Sequence, residues 1–353
     1  MERQLTRDEM IARLKAGGVT EAEIADLIAH DAATRPNGVQ LEPTPPKVRY
    51  RVRNWRDYNR ALIQRGSLTI WFEEETLVAW VGNEQVGQVG SPTLYAHTAI
   101  HCILTLNVLF RLPLRQTQGL VASLFQMGGL VLPVPHYSTL RRRGATRPVV
   151  LPRQARSTSL HLVVDSSGLK VYGEGEWRGR KHGKTKRRTW RTLHLGVDEA
   201  TGEIVAQVLT ANHVGDHEVV PQLVRQVRGR IEQFSGDGGY DDEVVYRTFA
   251  RRKTRVTVPP RSNAATSDLP WMGQRNAHIE RSAEVGRKQW KQECGYHRRS
   301  LAETAMFRLK TIFGDRLSAR TLKRQRTEAA LRCAALNRMT HLGRPDSYPV
   351  AAC

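Results

Sequence analysis

The sequence predicts an α/β region over residues 158–342, preceded by a mostly helical region over 48–150. Two patterns point to this division. Apolar runs of strand length alternate with helical periods from residue 158 onward, whereas 91–144 carries helical periods alone. Composition adds the partner: 55 Lys and Arg against 34 Asp and Glu give a net charge of +21. That balance suits a polyanion and implies salt-sensitive binding to nucleic acid, without separating DNA from RNA. At 353 residues the chain can hold two or three domains and a proper core.

Taken in order, residues 1–33 read as a small helical accessory module. Thr6 with Glu9 and Thr20 with Glu23 have capping-box spacing, and Gly17-Gly18 separates the two turns. Residues 1–35 hold five Lys/Arg and seven Asp/Glu, so dimerisation fits this module better than DNA contact. The segment TRPNGVQLEPTPPK (34–47) reads as an extended linker.

In the helical region, Ser91-Pro92 can open a helix whose buried side is Ala99, Ile100, Ile103, Leu104, Leu106, Leu109 and Phe110. A second runs from about Pro113 to Gly128-Gly129, and a third starts at Ser138 and carries Arg141, Arg142 and Arg143. Three helices ending in a basic one suit a DNA-binding bundle, although solvated arginines on a packing bundle would look the same. The most apolar stretch, Gly119–Pro135, contains Gln126, paired glycines and two prolines. It reads as a buried helix and turn, not a membrane span.

In the α/β region, SLHLVVDSS reads as a buried strand ending in Asp165. RTWRTLHLGVD and GEIVAQVLT are two further strands joined by the turn 198–202. DHEVVPQLVRQVRG is a helix, and IEQFSGDGGYD is a short strand whose Gly-rich turn holds Asp237. DEVVYRTFARR is helical, RVTVPP is a strand, and a helix carrying Glu303 closes the series. Residues 343–353 are left as a tail. Four scattered cysteines without a C-x-x-C pair point away from a disulfide framework or a zinc site and fit a reducing compartment. The charged, amphipathic first residues do not form a secretory leader, so a cytoplasmic location is expected.

The most informative stretch is GYHRRSLAETAMFRLKTIFGD, where Tyr296, Arg299, Glu303 and Lys310 spell Y-x2-R-x3-E-x6-K. Steps of three, four and seven return to one side of a helix, while Leu301, Ala305, Leu309 and Phe313 form a separate apolar stripe. A carboxylate flanked by two cations and a phenol suits phosphate chemistry beside a metal.

This spacing resembles the signature of bacterial DDE transposases in the insertion-sequence families numbered four and five, and of the latter above all. The likeness extends to YRVRNWRDYNRALIQRGSLTIWF (50–72), FRLPLRQTQGL (110–120), LPVPHYSTLRRRG (132–144), VVDSSGLKVYGEGEW (163–177) and GDGGYDDE (236–243). It covers roughly residues 48–340.

The resemblance implies a ribonuclease H-like catalytic domain, a mixed five-stranded sheet flanked by helices, and the order of elements read above agrees with it. In that fold one acid sits on the central strand, a second follows the fourth strand and a third lies on a late helix. Asp165, Asp237 and Glu303 fall in those places, as catalytic residues and metal ligands. Hard oxygen donors of this kind suit Mg²⁺, with Mn²⁺ able to substitute. The expected activity is nicking of double-stranded DNA at the element's ends, then joining of the freed 3′-hydroxyl to a target. Tyr296, Arg299 and Lys310 would position terminal DNA, and the 48–150 region would help to bind the element ends. A homodimer or higher oligomer in the DNA complex and a nucleoid-associated bacterial setting are also implied; no membrane or small-molecule substrate is.

Several neighbours compete for these roles. Asp241 and Asp242 flank Asp237 but suit the start of the next helix. Glu280, Glu284 and Glu293 lack the setting of Glu303. Between Trp177 and Val197 no acid appears, while Arg178, Arg180, Lys181, Lys184, Lys186, Arg187, Arg188 and Arg191 do, a loop fitted to track a DNA backbone. The cluster Arg316, Arg320, Lys323, Arg324 and Arg326 reads equally well as ordinary helix-end charge. Trp271 is either a base contact, by likeness to related transposases, or core packing. Only 65 residues separate Asp237 from Glu303, little room for an inserted domain. A nuclease or resolvase without strand transfer, and a transposase-derived binding protein without catalysis, stay open as alternatives. A carboxylate-pair glycosidase does not fit the charge.

Overall fold

A computed structural model describes residues 49–72, 74–81, 94–154, 159–171 and 190–350, together with Ala16 and Thr20. The rest of the accessory module, the linker, Ser91-Pro92 and the basic residues Arg178 to Arg188 lie outside the described residues.

The chain divides into two compact units. In the smaller, β1 (Arg49–Val52) pairs antiparallel with β8 (Ser347–Val350), from Arg49 opposite Val350 to Val52 opposite Ser347. The stretch read as a tail therefore carries a strand. The guanidinium of Arg53 lies 5.5 Å from the centre of the Tyr348 ring.

The larger unit, 54–346, opens with helices α1 (Trp55–Gln64), α2 (Glu74–Val78), α3 (His97–Phe110), α4 (Leu114–Met127) and α5 (Tyr137–Arg143). Apolar residues surround α3, and Ala99, Ile100, Cys102, Ile103, Leu104, Leu106 and Val108 are buried on it. Phe110, expected inside, is exposed, because α3 stops there and Arg111 turns into the left-handed region. Only Thr117, Val121 and Phe125 of α4 are buried, and Met127 and Val131 face outward, so this segment is half-buried. No single helix among the described residues is long and apolar enough to cross a membrane, and α3 and α4 turn by 110° between them.

The sheet is built from β2 (Ser159–Val171), β3 (Trp190–Asp198), β4 (Ile204–Ala211), β5 (Arg230–Ser235) and β6 (Arg255–Thr257), in the spatial order β4-β3-β2-β5-β6. β2–β3 and β3–β4 are antiparallel, whereas β2–β5 and β5–β6 are parallel, so the sheet is mixed and β2 is central. Helices α6 (Asp216–Gln226) and α7 (Glu243–Phe249) flank β5 in sequence. Alternation along β2 sends Leu160, Leu162 and Val164 into one core with α6, α7, β5 and β6. Val163 and Leu169 enter a second core with α3, α4, α5, α9 (Ser300–Phe313) and α10 (Leu322–Leu342).

β2 does not end at Asp165. Pairing with β3 continues to Lys170 opposite Trp190, and the short β7 (Arg316–Leu317) adds at Lys170–Val171. Asp165 is therefore a mid-strand residue. Two long helices were also absent from the sequence reading. α8 (Gly273–Glu293) buries only Trp290 and breaks at Gly286, where φ is 79°, so no apolar stripe announces it. α10 buries Ala329, Ala330, Leu331, Cys333, Ala335, Leu336 and Met339 together with Gln325, Glu328, Arg332, Asn337 and Thr340, and these buried polar side chains interrupt its apolar stripe.

Candidate active site

Strand register brings the first two acids level. Val163 lies opposite Ser235 in the parallel pair β2–β5, so Asp165 and Asp237 each sit two residues further along neighbouring chains. Asp165 shares its strand face with Val163, the face covered by α9. Asp237 leaves β5 in extended backbone, and its carboxylate accepts the Gly239 N–H at 2.8 Å, which fixes the Gly238–Tyr240 turn. Gly236 is required just before it. A Cβ there would stand 2.7 Å from the buried Tyr240 ring and 3.1 Å from Val164. Gly236→Ala is expected to cost about 1–3 kcal/mol of stability in urea titration, since neither neighbour can retreat.

The Y-R-E-K residues are not on one continuous α-helix. Tyr296–Arg299 form a 3₁₀ turn, and α9 begins at Ser300. Glu303 lies in the first turn of α9, where its charge is favoured by the helix dipole, and Lys310 lies in the last. Of the expected apolar stripe, Ala305, Leu309 and Phe313 are buried and Leu301 is half-buried.

Arg299 stands at the centre of the three acids. Its Nη1 is 3.4 Å from Asp165 Oδ1 and 4.0 Å from Asp237 Oδ2, and its Nη2 donates to Glu303 Oε1. Burial pushes the Asp165 carboxyl up to about 6; the Arg299 guanidinium opposes this, and the charges of Glu303 and Asp237 reinforce it. Lys310 Nζ donates to Ser167 Oγ, two residues beyond Asp165 on the same face of β2. Tyr296 lies between two cations: Lys291 Nζ is 5.2 Å from its ring centre and Arg299 Cζ 5.8 Å.

Three nearby residues had no part in the sequence reading. Ser167 had a signal, since the two-residue strand period places it beside Asp165. Tyr240 is buried, its hydroxyl has no hydrogen-bond partner among the described residues, and burial followed by the charges of Asp216, Asp237 and Asp165 pushes its pKa well up. His194, also buried, places Nδ1 3.4 Å from Asp216 Oδ1 while Nε2 contacts Thr210 Oγ1 at 2.9 Å. Burial holds its imidazole below the ordinary histidine range, with Asp216 opposing.

The competing acids lie elsewhere. Asp241 is buried against Arg275 at 2.7 Å, and Asp242 caps α7 by accepting the Val244 N–H. Glu284 and Glu293 both pair with Arg281 at 2.8 Å, and Glu280 is exposed on α8. Trp271 packs against the core that contains Val164. Among the α5 arginines, Arg141 and Arg142 are exposed, but Arg143 is buried and donates to the Tyr95 carbonyl. It therefore does not belong to the basic surface expected for that helix. Arg191 is drawn into the fold, its Nε donating to Gln325 at 2.9 Å.

The donor set fits a hard divalent cation: three carboxylates converging on one positive centre. Here that centre is Arg299, and among the described residues no three His, Cys, Asp or Glu side chains are grouped to hold one ion as they stand.

Two family models, each described as a transposase DDE domain, match residues 63–174 and 156–338. The second spans more than half of the chain, and the chain belongs to the transposase DDE domain family. Among solved structures, a piggyBac transposase synaptic complex with hairpin DNA is similar at 12% identity and a TM-score of 0.37, over 79% of this chain and 73% of that one.

Proposed function

We propose that this protein is a bacterial insertion-sequence transposase of the family numbered five, with a ribonuclease H-like catalytic fold. It binds the terminal inverted repeats of its element, nicks them and joins the freed 3′ ends to target DNA. One observation carries the reading: Asp165 on β2, Asp237 after β5 and Glu303 on α9 meet at a single guanidinium. Charges so far apart in sequence and so close in space cost stability, which marks a site kept for chemistry.

In this reading Asp165, Asp237 and Glu303 would hold divalent magnesium, or manganese in its place. Such a cation, when bound, supplies charge stabilisation to the attacking and leaving oxygens of phosphoryl transfer. Arg299, released from the three carboxylates, is placed to grip a phosphate with two parallel N–H donors. Lys310, held by Ser167, offers a point charge on the same face of β2. Tyr296 presents a ring between cations at the edge of the site. Arg141 and Arg142, with the basic stretch from Arg178 to Arg188, track the DNA backbone. Cutting two ends together calls for a dimer or a higher oligomer on DNA.

The test is cleavage and joining of labelled DNA that bears the element's own ends, with Mg²⁺, comparing wild type and Glu303→Gln. Joined product from wild type, lost in the variant while DNA binding persists, is the expected result. Hydrolysis without joining would replace the reading with a nuclease. Binding with neither reaction would leave a DNA-binding protein.

A further inference from the structure

A cavity of about 730 Å³ opens where α3, α5 and the end of α9 meet the N-terminal part of α10. Its floor is apolar, with the buried Leu104, Leu140 and Phe313 among its lining. Its rim is cationic, with Arg115, Arg141 and Arg320 exposed and Arg324 half-buried. The two acids among the described residues of its wall are already engaged. Asp315 pairs with Lys170 at 2.6 Å, while Glu328 pairs with Arg332 at 2.6 Å and accepts the backbone N–H groups of Ser318 and Ala319. Among the described residues of the cavity wall, Arg115, Arg141, Arg320 and Arg324 therefore have no carboxylate partner. A backbone outlier sits at the same place. Among the described residues Arg111 is the non-glycine with positive φ, 52°, and this left-handed turn sends its guanidinium along the wall to donate to the Ile312 carbonyl at 2.6 Å.

We infer that this cavity binds an unpaired stretch of DNA strand, its base on the apolar floor and its phosphates on the rim. The cationic rim selects a polyanion. The floor then distinguishes between kinds of nucleic acid: a duplex keeps its bases stacked inside and presents only backbone, whereas an unpaired nucleotide offers a base face together with its phosphate. The volume lies within the range of small-ligand sites, and the mouth is lined by Tyr137, whose ring contacts the Arg115 guanidinium at 4.5 Å and the His136 ring at 4.2 Å. The cavity starts at Phe313, ten residues along α9 from Glu303, hence about 15 Å from the acids. A strand held there would pass the acids within a few nucleotides. The inference rests on the proposed action on DNA, but it concerns binding alone.

The experiment uses the full chain in EDTA, with fluorescence anisotropy on a labelled ten-nucleotide oligothymidylate and on a hairpin duplex. Arg320→Ala/Arg324→Ala is expected to weaken oligonucleotide binding about tenfold or more and to lower its salt slope by about 1.4, while duplex binding changes less than about twofold. A 5-iododeoxyuridine in the oligonucleotide should crosslink to the cavity wall, at Tyr137. Equal losses on both DNAs, an unchanged oligonucleotide affinity, or crosslinks that map elsewhere would each overturn the inference. So would full competition by a polyglutamate peptide of equal charge, which would assign the cavity to an acidic protein segment. Glu303→Gln should bind the oligonucleotide as wild type does. Loss of cutting and loss of this binding are thus separate results: failed cleavage with intact binding would count against the transposase reading alone.

Discussion

Asp165→Asn is expected to abolish DNA cleavage and, in the absence of metal, to make the protein more stable at pH 8. The first effect follows from its place beside Arg299, Asp237 and Glu303; loss of one member of such a set costs at least about 10³-fold in rate. The second follows from burial. The carboxyl of Asp165 is held up at about 6 against an ordinary 3.8, so the folded state binds its proton more tightly than the unfolded chain does. Below the unfolded value both states are protonated and no cost arises. As pH rises from there through about 6, the folded protein must accept a charge that the unfolded chain carries freely, and stability falls. Asparagine never ionises. Urea titration in EDTA should therefore find the variant ahead by about 1–2 kcal/mol at pH 8, with the gap closing towards pH 4. Equal stabilities at pH 8 would mean that Arg299 fully compensates the buried charge.

Asn337→Leu should be the most damaging substitution away from the acids. Asn337 is buried on α10, where its Oδ1 accepts the Ile204 N–H at 2.8 Å and its Nδ2 donates to the Ile204 carbonyl at 2.8 Å and to the Pro152 carbonyl at 3.0 Å. The pairing of β3 with β4 slips between Gly196 and Val197, so this end of the ladder is irregular and the asparagine completes it. Leucine would take this partner from the two buried backbone groups of Ile204 and from the half-buried Pro152 carbonyl, at a cost of about 3–5 kcal/mol. That corresponds to a fall of about 10 °C in Tm, read by circular dichroism. A fall below about 2 °C would show that water replaces the amide.

These two residues also mark how far the sequence could be read. Asp165 was visible because it breaks an apolar run beside a recognisable motif, and Asp237 and Glu303 because their neighbours are distinctive. Strand alternation and turn residues gave β2 to β6 in order, since those signals are local. Asn337 gave no signal: a buried amide is justified only by backbone groups that lie 133 and 185 residues away. The length of β2 was hidden for the same reason, because Ser166 to Lys170 are held in a strand by β3 and β7 and by no apolar pattern of their own. The position of Arg299 among all three acids was likewise out of reach. Helical spacing pairs it with Glu303, but only the sheet register brings Asp165 and Asp237 to it. Arg143 shows the converse error: three arginines in a row read as one surface, yet a helix turns one of them inward.

The last helix has a consequence for how the protein is made. Ala329, Leu331, Cys333, Ala335, Leu336 and Met339 of α10 complete the core shared by Val197 and Ile204 of the sheet and by α3. Every one of those partners leaves the ribosome before α10 does. Through the time needed to add residues 322–342, about one to four seconds at ordinary elongation rates, the nascent chain carries its acids beside a core that α3 and α9 cover only in part. A working site thus belongs to the finished chain, and messages truncated ahead of α10 should yield products that chaperones and proteases meet before DNA does.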